Sequence, residues 1–338
     1  MPRAVAAEQE KTGMKLALIG CGAMGRMHAE MAQRCGIEVA VCADKDGKAA
    51  KAAAAAFGAR AVASVEAAVK RPEVDLVCIC TPTPRHSGAV IAAADAGKHI
   101  FCEKPFARTM QQCRASLAAV KRGRVKLFIG HVVRYFHEFD AIKRAVENGK
   151  IGTPGFARLF RGGIYPGAPG SWFRDYTQSG GAIFDMSIHD LDWVRYMFGE
   201  PERIFCQSLQ RSKPEQLDYG MVTMRMKSGI LTSFTGSWAH PQGFRVKVEV
   251  VGDGGLIQYD SNDAPITSMM RASAGMGPSM IVPASPEVVS PYQLEWQDFH
   301  DWITLDRAPR VHPEDGVRAL EMALAAEKSA ATGKPVKL

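Results

Sequence analysis

Four side chains stand out as able to do chemistry: Lys104, Asp185, His189 and Asp192. The last three fall in SGGAIFDMSIHDLD, residues 179–192, spaced four and three apart among apolar residues. Read as one helix at about 100° per residue, they lie within roughly 60° of arc, and Asp190 points elsewhere. Imidazole titrates near neutral pH and suits removal of a hydroxyl proton. A carboxylate on the same stripe can orient the ring or relay the proton. Lys104 ends an apolar run, KHIFCEKP, where an ammonium can favour negative charge growing on an oxygen. The following Pro105 can hold that loop through its fixed φ or a cis bond. A helical DxxxHxxD could instead bind a metal. A lysine aimed at the same point would repel the cation, so no metal is expected.

These residues must be positioned by larger elements. MKLALIGCGAMGRMHAEMAQRC reads as a buried strand, a glycine loop and a helix. Gly20 permits the tight turn, Gly22 lets a pyrophosphate approach the backbone, and Gly25 lets the helix pack on the strand. Gly20, Gly22, Ala23, Met24 and Gly25 are therefore expected to cradle a dinucleotide at a helix N-terminus. The second strand ends at Asp44, placed to hold both hydroxyls of an adenine ribose. A carboxylate there favours NAD, and Lys45 beside it leaves NADP open. The next strand ends at Thr81 and Pro82, near His86, and the one after it at Glu103 and Lys104. Strand ends on this edge face the ligand crevice, so all five join the expected cofactor contacts.

The chain's 338 residues suggest two domains. Residues 1–13 read as a loose extension, 14–134 as an NAD-binding domain and 135–338 as a domain for substrate binding and self-association. The first has the alternating rhythm of a doubly wound parallel sheet. In the second, successive strand patterns surround the helix at residue 185, which suggests an α+β domain with a large open, mostly antiparallel sheet. Residues 262–290 are rich in Pro, Ser and Met and read as a mobile loop.

Composition excludes several classes. No apolar run approaches the roughly 20 residues of a membrane span, and the N-terminus lacks a secretory core. Seven of eight cysteines precede residue 114, and their spacing suits reduced, buried thiols in a cytoplasmic protein. The net charge of +7 is scattered. Its one short cluster, KRGRVK, reads as a helix end rather than a nucleic-acid surface.

GCGAMG, EKP and GGAIFDMSIHDLD occur in this order, and the chain closes with EDGVRALEMALAAEKSAATGKPVKL. In these motifs the sequence resembles the glucose–fructose oxidoreductase / inositol 2-dehydrogenase (Gfo/Idh/MocA) family. The resemblance implies a Rossmann domain joined to an α/β domain with an open sheet, assembled as a homodimer or homotetramer. It places the catalytic lysine on Lys104 and a DxxxH pair on Asp185 and His189. It also puts substrate contacts on Asp192 and on Arg134, where VVRYF has valine in place of the family's first arginine. The Gly- and Pro-rich loop 158–178 adds Trp172 as an aromatic face for a sugar ring. The implied activity is hydride transfer from a secondary hydroxyl of a cyclic polyol or sugar to NAD. The resemblance also allows, as an alternative, an NAD-retaining glycosidase that oxidises, eliminates and re-reduces, and after it a non-catalytic regulator that senses sugar or NAD.

Overall fold

A computed structural model describes residues 13–166, 171–211, 217–240, 243–263 and 289–338. Nearly all of the loop read at 262–290 lies outside these residues, as do residues 1–12 of the extension. Six strands, β1 (Lys15–Ile19), β2 (Glu38–Ala43), β3 (Arg60–Val62), β4 (Leu76–Ile79), β5 (His99–Glu103) and β6 (Leu127–Gly130), form one parallel sheet. Between them run α1 (Ala23–Arg34), α2 (Gly47–Phe57), α3 (Val65–Val69), α4 (His86–Asp95) and α5 (Met110–Gly123). The order is β3-β2-β1-β4-β5-β6, the doubly wound arrangement whose ligand crevice opens where the winding reverses, at β1 and β4. The central strands β1 and β4 are buried almost throughout, which is why they read as unbroken apolar runs. KRGRVK is a helix end: Lys121 and Arg122 close α5, and Arg122 pairs with Asp95.

After α6 (His137–Glu147) comes a second sheet of β7 (Pro154–Gly162), β8 (Pro201–Arg211), β9 (Leu217–Met226), β10 (Leu231–Ser237), β11 (Arg245–Gly252), β12 (Gly255–Asp260) and β13 (Val336–Lys337). Its order is β12-β11-β7-β10-β9-β8-β13. β7 and β10 are parallel, and the other pairs are antiparallel. Along β9 buried and exposed residues alternate, so one face is covered and the other open. The short α7 (Tyr176–Ser179), a π-helical turn at Ala182–Met186 and α8 (Ile188–Phe198) follow β7.

Two late helices return to the first sheet. Trp296 of α9 (Pro291–Leu305) stacks on Phe101 of β5, with centroids 4.7 Å apart and planes at 13°. α10 (Pro313–Thr332) packs against β8, α8, the π-turn and β6. Its Gly316 is needed there, since a Cβ would stand 2.9 Å from Ile129. The edge of the parallel sheet and the π-turn are thus braced by the same helix.

Candidate active site

The glycine loop is built as its spacing requires. Gly20 has φ +93°, and a Cβ on it would lie 2.6 Å from the Cys80 carbonyl oxygen. A Cβ on Gly25 would meet the Gly20 oxygen at 1.9 Å. Around Gly22 nothing stands within 4 Å, so that side is open to a ligand. α1 begins at Ala23 and Met24 with no side-chain cap, which leaves its first N–H groups for an anion. Asp44 follows β2 and accepts from the Cys21 N–H at 2.8 Å and the Asp46 N–H at 2.8 Å. At the end of β4, Thr81 Oγ1 is buried without a partner among the described residues. An open glycine cradle, an uncapped helix start and an orphaned hydroxyl fit a dinucleotide. His86 differs: its Nδ1 meets the Pro105 oxygen at 2.8 Å and its Nε2 the Thr81 oxygen at 2.7 Å. Neither nitrogen is left over for a ligand, and the ring clamps two strand-end loops together.

Beyond β5, Lys104 precedes a cis proline. Its Nζ donates to the Asp185 carbonyl at 2.8 Å and lies 3.7 Å from the Asp185 carboxylate. Both side chains keep a little exposure, 15% and 13%, so the pair borders the crevice. Burial raises the Asp185 carboxyl, and Lys104 works against that rise. Burial lowers His189 well below its ordinary range, helped by Lys104, Arg161 and His131. The imidazole is therefore neutral at physiological pH. Its Nδ1 is buried without a partner among the described residues, and no hydrogen bond joins it to Asp185.

The helix is not the single one that the spacing suggested. Asp185 lies in the π-turn, the regular helix is interrupted at Ser187, and His189 lies in the first turn of α8. The glycine pair explains itself locally. A Cβ on Gly180 would strike Phe184 at 2.4 Å, and one on Gly181 (φ +76°) would strike Gln210 at 2.2 Å and Asp218 at 2.4 Å. The close approach is to the protein's own side chains. Asp218 accepts from the Ala182 N–H at 2.7 Å and so anchors the start of the π-turn. Burial pushes its carboxyl up to about 7. Gly181→Ala is expected to displace this turn and lower kcat about 100-fold, as a misplacement of roughly 1 Å can do. Steady-state kinetics beside a melting curve would check it, since an unchanged kcat would mean that the turn tolerates the methyl.

Asp192 is not free for a ligand. It receives Arg134 Nη2 at 2.6 Å and Nε at 2.8 Å, with both side chains buried. Asp190 likewise takes Arg161 through Nη2 at 2.8 Å. Trp172 sits in a short 3₁₀ turn against Phe173, with centroids 4.3 Å apart. Phe173 and Tyr165 pack with Trp238 on Ala182 and Met186, so the aromatic loop is joined to the π-turn. Residues 167–170 of that loop lie outside those described.

Sequence reasoning passed over His28, His131, Asp218 and Trp296. His131 follows β6 beside Lys104, is buried, and has neither ring nitrogen bonded among the described residues. Its Nδ1 stands 3.8 Å from Asp192. None of the four belongs to a motif, and each meets its partner only across the fold. Among the described residues no cluster suited to a metal occurs, and no helix is long and apolar enough to cross a membrane.

Residues 14–131 match the oxidoreductase family with an NAD-binding Rossmann fold, and residues 139–258 match the GFO/IDH/MocA C-terminal domain. The chain belongs to the Gfo/Idh/MocA family. It is 30% identical over 334 residues to a myo-inositol 2-dehydrogenase of Thermotoga maritima, covering 96% of this chain and 98% of the relative. An inositol 2-dehydrogenase of Rhizobium meliloti is 28% identical, with 96% and 99% covered. Among solved structures, a probable dehydrogenase from Thermotoga maritima superposes with a TM-score of 0.82 at 30% identity, covering 96% and 98%. This Gfo/Idh/MocA member is thus an NAD-binding oxidoreductase, and its first sheet is the NAD-binding Rossmann domain.

Proposed function

We propose that the protein is a dehydrogenase of the inositol or sugar type, in which His189 takes the proton of a secondary hydroxyl. The observation that carries this is the meeting of Lys104 with the π-turn and α8 at the carboxyl edge of the NAD-binding sheet. NAD, when bound, accepts the hydride from the carbon that bears this hydroxyl. The neutral imidazole of His189 is the base. Lys104 donates to the reacting oxygen and offsets its developing charge. Asp185 holds the ammonium in place. The partly exposed rings of Trp172, Phe173 and Tyr165 support a ring-shaped substrate, since such faces stack on sugars. Inositol dehydrogenases among the relatives support the substrate class.

The open face of the second sheet exposes Leu209, Tyr219, Met221 and Leu231. By strand register these share one side. Apolar side chains exposed on one sheet face favour cover, and a homodimer or homotetramer would provide it.

Near-UV absorbance of reduced nicotinamide tests the reaction. Purified protein with excess NAD is offered a panel of inositols, sugars, uronic acids and glycosides. A steady rise with a cyclic polyol or sugar is expected and names the substrate. No rise, with glycoside cleavage and NAD released only on denaturation, would replace this reading with the closed redox cycle. Neither outcome with any compound would return the protein to the class of sugar-sensing regulators.

A further inference from the structure

Glu103 is buried at the end of β5, directly before Lys104, where an isolated charge is costly. Its oxygens are nonetheless fixed on two sides. Oε1 meets His28 Nε2 at 2.7 Å, and Oε2 accepts the Lys104 N–H at 3.0 Å. The state of His28 follows from its other neighbour. Trp296 Nε1 reaches His28 Nδ1 at 3.2 Å, and an indole can only donate. Nδ1 is therefore the acceptor, and the ring proton sits on Nε2, aimed at Glu103. The imidazole is neutral, so the pair keeps one net negative charge. Gly130 on the neighbouring strand leaves the room, as a Cβ there would lie 3.3 Å from Glu103 Oε1.

The surrounding carboxyls divide unequally. Burial works against the Glu103 carboxylate, but the His28 hydrogen bond, with the Lys104 ammonium, outweighs it and holds the group below its ordinary range. Burial raises both Asp185 and Glu295, and the Glu103 charge pushes each further. Of these carboxyls, Glu103 is thus the one whose charged form its surroundings favour. The nicotinamide ring is a cation when oxidised and neutral when reduced. Next to the Lys104 ammonium its oxidised form is the one that needs a counter-charge.

We infer that Glu103, held ionised by His28 and Trp296, is the fixed counter-charge for the oxidised nicotinamide and sets the preference for NAD⁺ over NADH. The inference deepens the dehydrogenase reading and rests on its placement of the reacting oxygen at Lys104, which puts the nicotinamide that takes the hydride close by. His28 and Trp296 are positioning residues, which act through Glu103.

Titration of the purified full-length protein with NAD⁺ and with NADH, by calorimetry, gives the ratio of the two dissociation constants. Glu103→Gln is expected to weaken NAD⁺ relative to NADH at least tenfold, since one charge at an effective dielectric of about 20 acts that strongly even from about 12 Å. Lys104→Met removes the opposing charge and should move the ratio the other way. Trp296→Phe removes a donor but no charge and should move the ratio far less than Glu103→Gln does. A ratio unmoved by Glu103→Gln, or moved as far by Trp296→Phe, overturns the proposal. Should Glu103→Gln not fold, a ratio unmoved by Lys104→Met overturns it as well. These titrations need no substrate, so failure to find an oxidisable compound would sink the dehydrogenase reading and leave this result intact.

Discussion

Replacing His189 by asparagine is expected to lower kcat for NAD reduction about 10²–10⁴-fold, the contribution of a positioned general base, while NAD⁺ binds as before. The pH profile separates this role from a structural one. A base must be neutral to act, and His189 is held well below its ordinary pKa by burial first, then by Lys104, Arg161 and His131. A lowered pKa keeps the neutral form at pH values where a free imidazole, near about 6.5, would already be protonated. The kcat/KM for oxidation should therefore show no fall through that range, and its acid limb should lie lower. Lys104→Met removes one of the depressing cations, so the limb of the residual activity should move upward. A wild-type limb near the free imidazole value that persists in His189→Asn would assign the proton transfer to another group.

How far these residues could be read from the sequence depends on the range of the interactions that place them. The glycine loop is local: Gly20, Gly22 and Gly25 each answer to backbone within one strand–loop–helix unit, so their spacing carried the fold and the cofactor. Lys104 was legible for the same reason, since a strand end on this edge faces the crevice whatever follows. The two-sheet architecture followed from where the alternating strand–helix rhythm stopped. That α9 returns to stack Trp296 on Phe101 was not legible. Its apolar face has no feature that tells one sheet from the other.

The helix at residue 185 shows why the rest was hidden. Its residues carry an ordinary helical pattern, but the π-turn depends on Asp218, 36 residues away, accepting from Ala182, and on Gly181 lying against Gln210. A π-turn closes i to i+5 and changes the angle between successive residues. The stripe computed for a regular helix therefore holds for Asp185 and His189 only in that both lie close to Lys104. Asp192, placed on the same stripe, is claimed by Arg134 from the end of β6. Polar groups on a buried helix face find whichever counter-charge the fold supplies, and sequence spacing does not say which.

That pairing carries the second large expectation. Arg134→Ala should destabilise the fold by about 3–5 kcal/mol, because it leaves a buried carboxylate without its counter-charge. Arg134 also donates to the Arg310 carbonyl at 3.0 Å and to Asp315 at 3.1 Å, and its guanidinium lies 4.4 Å from the Tyr196 ring centroid. Burial opposes its charge, but Asp192 and Asp315 more than compensate and hold the guanidinium above its ordinary pKa. Asp192→Asn should cost less, since the amide oxygen still accepts from Arg134. The pair also bears on catalysis. His189 lies one turn before Asp192 on α8, so a loosened Asp192 would free the proposed base. An anchor and a substrate contact then differ in their signatures. Loss of an anchor lowers the melting temperature and kcat together, whereas loss of a contact raises KM for the substrate with the melting temperature unchanged. Arg134→Met combined with Asp192→Leu decides between them. Replacing both partners of a buried ion pair by apolar groups of similar volume is often neutral or stabilising, so the double variant should recover the melting temperature. If turnover recovers with it, the pair serves to hold α8. If stability returns but KM stays high, the carboxylate meets the substrate once the crevice is filled.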